Sequence, residues 1–171
     1  MSLSRLLFLA AIAAVCALFL RLWVLEGIYI ASGSMEPTLK VGTHVVLDKV
    51  TFRFRDPRRG EIVLLREPVP PHTEMVKRVI GVAGDVVELR AKKVFLNGSA
   101  AEDPFAAHSR QEEKLKGDDL GPFTVPPRHF FVLGDNRDES NDSSVWKDPD
   151  TGEPEPFVPR SGIRGKVRGF Y

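Results

Sequence analysis

From Leu6 to Leu20 every position is apolar, Arg21 interrupts, and Leu22–Leu25 is apolar again. Twenty helical residues rise about 30 Å, the thickness of a bilayer core, so the pattern predicts a transmembrane helix over about 6–25. The run shows no polar face, which argues against a buried core helix. Bulky residues fill Leu18–Val24, which argues against a signal-peptide cleavage site there. Arg21 lies near the end of the span, where its stem can snorkel to the headgroups, and Trp23 is placed like an interfacial anchor. Arg5 favours a cytoplasmic N-terminus, although Arg21 and Lys40 dilute that bias.

Past Ile30 the helical pattern stops and short apolar runs alternate with turn residues. Strands are predicted at His44–Leu47, Glu61–Leu65, Met75–Ile80, Val86–Leu89, Lys93–Leu96, His129–Leu133 and Ile163–Phe170. Asn97–Gly98 marks a two-residue hairpin. This pattern predicts a mostly β fold, with coiled antiparallel sheets or a partly open barrel, preceded by one N-terminal transmembrane helix. The expected organisation is a membrane anchor over 1–29 and a β domain over 30–171. A polar, proline-bearing surface excursion or small cap is expected at about 99–128, and a second exposed stretch at Lys147–Pro156.

Composition narrows the classes. Net charge is +1 with 43% hydrophobic and 27% charged residues, which fits an ordinary globular domain and disfavours nucleic-acid binding. Cys16 is the lone cysteine, so an internal disulfide or cysteine-based zinc site is excluded. His44, His72, His108 and His129 are scattered without metal-ligand spacing. No metal, cofactor or nucleic acid is expected.

Three segments carry candidate chemistry. Ile30–Leu39 brackets Gly33 with Ser32 and Ser34 just beyond the anchor, a turn that can present a hydroxyl outward. Lys77 stands within an apolar, strand-like run between Val76 and Val79. Burial there would favour the neutral amine, which can take a proton from a hydroxyl as histidine does in serine hydrolases. Gly134–Asp142 concentrates Asp, Asn and Arg after the strand ending at Leu133. It lacks the central glycine and distal glutamate of an EF-hand loop. An ion-pair scaffold, with Arg137 or Arg78 facing Asp135 or Asp142, fits it better.

The order of four blocks is more specific than any one of them. Ser-Gly-Ser-Met-x-Pro-Thr-Leu (32–39), Arg-Gly-Glu-Ile-Val (59–63), Lys-Arg-Val-Ile-Gly-x-x-Gly-Asp (77–85) and Gly-Asp-Asn-Arg-Asp-x-Ser-x-Asp (134–142) together resemble the type I signal peptidase family. The resemblance implies a membrane-anchored serine endopeptidase that cuts signal peptides from exported pre-proteins after small-x-small, typically Ala-x-Ala. It implies Ser34 as nucleophile, Lys77 as general base, and Ser32 with the Ser34 N–H as oxyanion hole. Ser140 would orient the lysine, and Asp135, Asp142 and Arg78 would form the scaffold. Ile30, Met35, Leu39 and Val76 would line shallow pockets for small side chains. Signal peptides and membrane lipid are the implied partners. The implied location is the cell membrane, single-pass, with the catalytic domain on the extracytoplasmic face.

The sequence departs from the family at two places. Ala31 stands where proline is frequent, and Ser144 where arginine is frequent; Ser144 cannot pair with Asp142 as arginine would, and Arg78, Arg137 and Lys147 are the candidate substitutes. Competing readings are a peptidase specialised for one exported substrate, as in conjugation systems, a self-cleaving regulator, and a membrane-tethered β binding module without catalysis.

Overall fold

A computed structural model describes residues 2–170. Helix α1 (Leu3–Trp23) has mean hydropathy 2.4 and buries none of its side chains against the protein. It ends earlier than the apolar run suggests. Leu25–Tyr29 is a strand, β1, paired antiparallel to β2 (His44–Asp48), with Leu25 opposite Asp48 and Tyr29 opposite His44. Residues 25–29, included in the expected anchor, are thus paired into the large sheet. Lys49, just beyond β2, fixes this junction. Its ammonium reaches the Arg21 and Leu22 carbonyls at 3.4 and 3.3 Å, and its N–H bonds the Val24 carbonyl. A cation on these orphan carbonyls satisfies the helix C-terminus.

The remaining elements are the short helix α2 (Thr51–Phe54) and the strands β3 (Ile62–Arg66), β4 (Glu74–Gly81), β5 (Val86–Arg90), β6 (Lys93–Leu96), β7 (Ser99–Ala100), β8 (Leu120–Thr124), β9 (His129–Leu133), β10 (Val158–Pro159) and β11 (Ile163–Phe170). Every strand expected from the sequence is present, within two residues at each end. A seven-stranded sheet runs β1-β2-β11-β3-β4-β9-β10, and a four-stranded sheet runs β7-β6-β5-β8. All pairings between these strands are antiparallel. The large sheet curls, as long twisted sheets do. One face closes over Val63, Leu65, Val79, Val132, Trp146 and Ile163, and another region gathers Ile30, Met35, Leu39, Val45, Leu47 and Leu64. Asn97 and Gly98 take φ of 53° and 82° at the β6–β7 turn, the left-handed pair a two-residue hairpin needs.

The segment expected as an excursion is more integrated than its composition implies. Its ends are β7 and β8, strands of the second sheet. Its middle is tied to the Gly134–Asp142 loop. Ala107 N–H donates to the Asp135 carbonyl, Arg137 N–H donates to the Ala107 carbonyl, and Arg137 pairs with Asp103. Lys147–Pro156 is largely exposed, turned by Asp148 accepting the N–H groups of Asp150 and Thr151.

Candidate functional site

Ser34 lies in a single 3-10 turn, Gly33–Met35, between β1 and β2. Its carbonyl accepts the Asn136 N–H, and the Asn136 side-chain amide donates to the Gly33 carbonyl at 3.2 Å. The loop after β9 therefore clamps the serine turn from behind. β4 carries Lys77, opposite Val63 of β3. By strand alternation Lys77 shares a face with Met75 and Val79, which pack into the Val63–Trp146 cluster. Its stem therefore runs through apolar surroundings, and the residue is 2% exposed.

Lys77 Nζ lies 2.8 Å from Ser34 Oγ. Burial pushes the Lys77 ammonium below the usual lysine value; the negative charges of Asp142, Glu67 and Asp135 pull it part of the way back. Ser32 Oγ is 3.4 Å from Ser34 Oγ. A neutral amine bonded to a hydroxyl can accept its proton as the oxygen attacks a carbonyl.

Of the sequence-expected scaffold, Arg78 and Asp135 form a bidentate pair at 2.7 and 2.6 Å, both nearly inaccessible to water. Arg78 also donates to the Gly60 carbonyl and lies 3.7 Å over the Phe105 ring. The choice left open between arginines is thus resolved: Arg78 faces Asp135, while Arg137 faces Asp103 and the Gly134 carbonyl. Asp142 accepts the Gly134 N–H at 2.8 Å. Its other oxygen accepts both the N–H and the hydroxyl of Ser144, at 3.0 and 2.7 Å. Ser144 therefore bonds Asp142 without the ion pair an arginine would make, because a short hydroxyl two residues on can close a local turn that needs no long side chain.

Two expected roles are not met. Ser140 Oγ is buried with no hydrogen-bond partner among the described residues, and the bond of Lys77 goes to Ser34 rather than to Ser140. The Ser140 hydroxyl instead fills the space beside Gly134, 2.2 Å from where a Cβ would stand. Leu39, 1% exposed, packs in the core beneath the site rather than at its surface. Ile30, Met35 and Val76 do line a groove of about 650 Å³ that ends at Ser32 and Ser34. Sequence reasoning missed other parts of its wall, the apolar Ile28, Tyr29, Leu64 and Met75 and the charged Glu26, Lys49, Glu74 and Arg164. The alternation of Ile28 with Ile30 was a usable signal, hidden by continuity with the anchor. It also missed Asn136, Asn141 and Glu67, whose partners lie far away in the chain. The groove lies between β1 and the first half of β4. β9 pairs with β4 only from Arg78 onward, and β1 is an edge strand, so both present backbone groups free to pair.

A serine hydroxyl with a buried amine on it thus borders a groove with open strand edges, on a curled antiparallel sheet. The chain belongs to the signal peptidase family, peptidase S26, which matches residues 3–171. It is 36% identical over 161 residues to a probable signal peptidase I-2 of Synechocystis sp., covering 91% of this chain and 66% of that one. It is 35% identical over 167 residues to a signal peptidase I of Pseudomonas fluorescens, covering 77% and 59%. The chain thus spans less than two thirds of the length of these two relatives. A signal peptidase I of Leptolyngbya laminosa is 35% identical over 163 residues, covering 91% and 73%. The crystal structure of a signal peptidase I from Enterococcus faecalis V583 superposes with a TM-score of 0.52 at 26% identity, covering 67% of this chain and 98% of that one.

Proposed function

We propose that the protein is a membrane-anchored serine endopeptidase that removes signal peptides from exported pre-proteins, cutting after small-x-small. The observation that carries this reading is the 2.8 Å bond from Lys77 Nζ to Ser34 Oγ, with the amine withdrawn from water and Ser34 on the wall of a groove. Ser34 Oγ attacks the scissile carbonyl while its proton passes to neutral Lys77. The developing oxyanion is held by the Ser34 N–H and the Ser32 hydroxyl. Lys77 then returns the proton to the departing amine, leaving an acyl ester on Ser34. Water, deprotonated by the same amine, hydrolyses the ester and frees the serine.

An extended substrate fits the groove as an added strand between the free edges of β1 and β4. Ile30, Met35 and Val76 leave room there for small side chains. α1 crosses the cell membrane and holds the catalytic domain on its extracytoplasmic face. The cleavage site of a membrane-inserted signal peptide emerges at the same depth, which raises the effective concentration of substrate. The test is to mix the detergent-solubilised chain with a precursor bearing Ala-x-Ala. Cleavage after the final alanine, lost in Ser34→Ala and in Lys77→Ala, is expected. Cleavage by either variant at the wild-type rate would overturn the reading, and absence of cleavage by the wild type would favour a binding module.

A further inference from the structure

Beside the end of α1, the segment 51–58 reads Thr-Phe-Arg-Phe-Arg-Asp-Pro-Arg, and none of its side chains enters the site around Ser34 and Lys77. Its first four residues form α2, docked on the end of α1. The Arg53 guanidinium stands 5.6 Å over the Trp23 ring and donates to the Trp23 carbonyl at 3.4 Å. Next to it is an open polar cavity of about 480 Å³, whose walls include the four arginines Arg53, Arg55, Arg128 and Arg160, one acid, Asp56, and Phe54. Two of its four guanidinia are neutralised: Arg55 by Glu61, and Arg160 by Asp56. The other two are not. Arg53 is exposed, its side chain bonds and stacks on Trp23, and it has no ion pair among the described residues. Arg128, also exposed, has no ion pair or side-chain hydrogen bond among the described residues. Its backbone is held at φ 60°, and its carbonyl accepts the Arg160 N–H at 2.8 Å, which fixes it on the rim. Phe54, between these arginines, is 85% exposed, an outward aromatic with no packing partner.

Uncompensated cations, a polar cavity and a projecting phenyl ring, joined to Trp23 at the end of α1 through Arg53, match the layered chemistry of a lipid surface: phosphate outside, acyl chain within. We propose that this cavity is a headgroup site for anionic phospholipid. Arg53 and Arg128 bind the phosphodiester, and Phe54 enters the acyl boundary. The proposal rests on α1 spanning the membrane; it does not depend on the peptidase chemistry. Such a site would fix the rotation of the β domain about α1 and thereby the direction in which the groove meets the bilayer.

The test uses the delipidated full chain in neutral detergent. Retained lipid is read by native mass spectrometry after titration with phosphatidylglycerol or phosphatidylcholine. Wild type is expected to retain phosphatidylglycerol preferentially, and Arg53→Gln with Arg128→Gln to weaken that retention about 25-fold, roughly fivefold per arginine. Phe54→Ser is expected to weaken retention several-fold. Unchanged melting curves and unchanged Ala-x-Ala cleavage in detergent would show that both variants fold. Equal retention of the two lipids by wild type, or undiminished retention by the double variant, overturns the proposal. So does full displacement of phosphatidylglycerol by millimolar inorganic phosphate, which would mark a site for free anions. Because lipid retention and cleavage are read separately, loss of the peptidase reading would leave this result standing.

Discussion

Replacing Gly134 by alanine adds one carbon where the candidate site has no room. A Cβ there would stand 2.2 Å from Ser140 Oγ and 2.4 Å from the Ser34 carbonyl oxygen. The Ser140 hydroxyl can rotate away, but the carbonyl is backbone. Real Cβ contacts essentially never fall under 3.0 Å, so Ser34 must retreat by at least 0.6 Å, from 2.4 to 3.0 Å. That displacement acts on the turn that carries the nucleophile and loosens the Asn136 N–H bond to the same oxygen. A misplacement of about 1 Å costs on the order of 100-fold in rate, so Gly134→Ala is expected to lower kcat/KM by about 10- to 100-fold. Overpacking adds a stability cost of about 1–3 kcal/mol. Peptide cleavage under single-turnover conditions, with thermal melts alongside, reads both effects. Gly81→Ala separates them: its Cβ would meet Val87 Cγ2 at 2.6 Å, between the sheets and away from the serine turn. It should lose comparable stability yet keep kcat/KM within a few-fold well below its melting temperature. A Gly134→Ala enzyme within twofold of wild-type kcat/KM would refute the reasoning.

The buried amine gives a signed pH dependence. Activity should rise with pH as Lys77 loses its proton, with a midpoint below the usual lysine value of about 10.4. In stability, Lys77 is charged in both states below its depressed folded pKa, and the burial cost is then carried in full. As pH climbs from there toward the unfolded value the unfolded chain binds more protons, so that cost is relieved. The urea midpoint of wild type relative to Lys77→Met should therefore climb through this alkaline window; a constant difference would contradict it. Glu67→Gln removes one of the three anions that favour charged Lys77, so the acid limb of the pH–rate profile should move to lower pH. An unmoved or raised limb would show that Glu67, which accepts bonds from Asn141 and Thr73, acts only as a structural tie. Asp135→Asn leaves the Arg78 guanidinium buried without its anion, a loss of about 3–5 kcal/mol. Calorimetry should record a fall in Tm on the order of 10 °C, and a fall under 2–3 °C (roughly 1 kcal/mol) would contradict a tight pair.

The strands that were legible carry runs of Val, Ile, Leu and Phe bounded by glycine or proline, so local pattern and final pairing agree. β1 was not legible because Leu25, Ile28 and Ile30 extend the apolar anchor, and only pairing with β2 makes them a strand. β8 was hidden by Gly121 and Pro122 inside it, which a short strand of a small sheet tolerates. Ser34, Lys77, Arg78, Asp135 and Asp142 were readable as a constellation through the order of their motifs. What the order could not carry was the partner of each group. Arg78 pairing with Asp135 depends on the β4–β9 register, and the place of Ser140 against Gly134 depends on how two loops meet. Asn141 reaching Glu67 joins residues 74 positions apart, a contact with no local trace.

The account stands on the oxygen of Ser34 becoming the acyl carrier through the amine of Lys77. The direct measurement is mass spectrometry of an acid-quenched reaction with a peptide ester ending in Ala-x-Ala. The expected result is one acyl adduct, on the proteolytic fragment holding Ser34, formed by wild type and not by Lys77→Ala. An adduct on another residue, or continued turnover with Ser34 replaced by alanine, would contradict it.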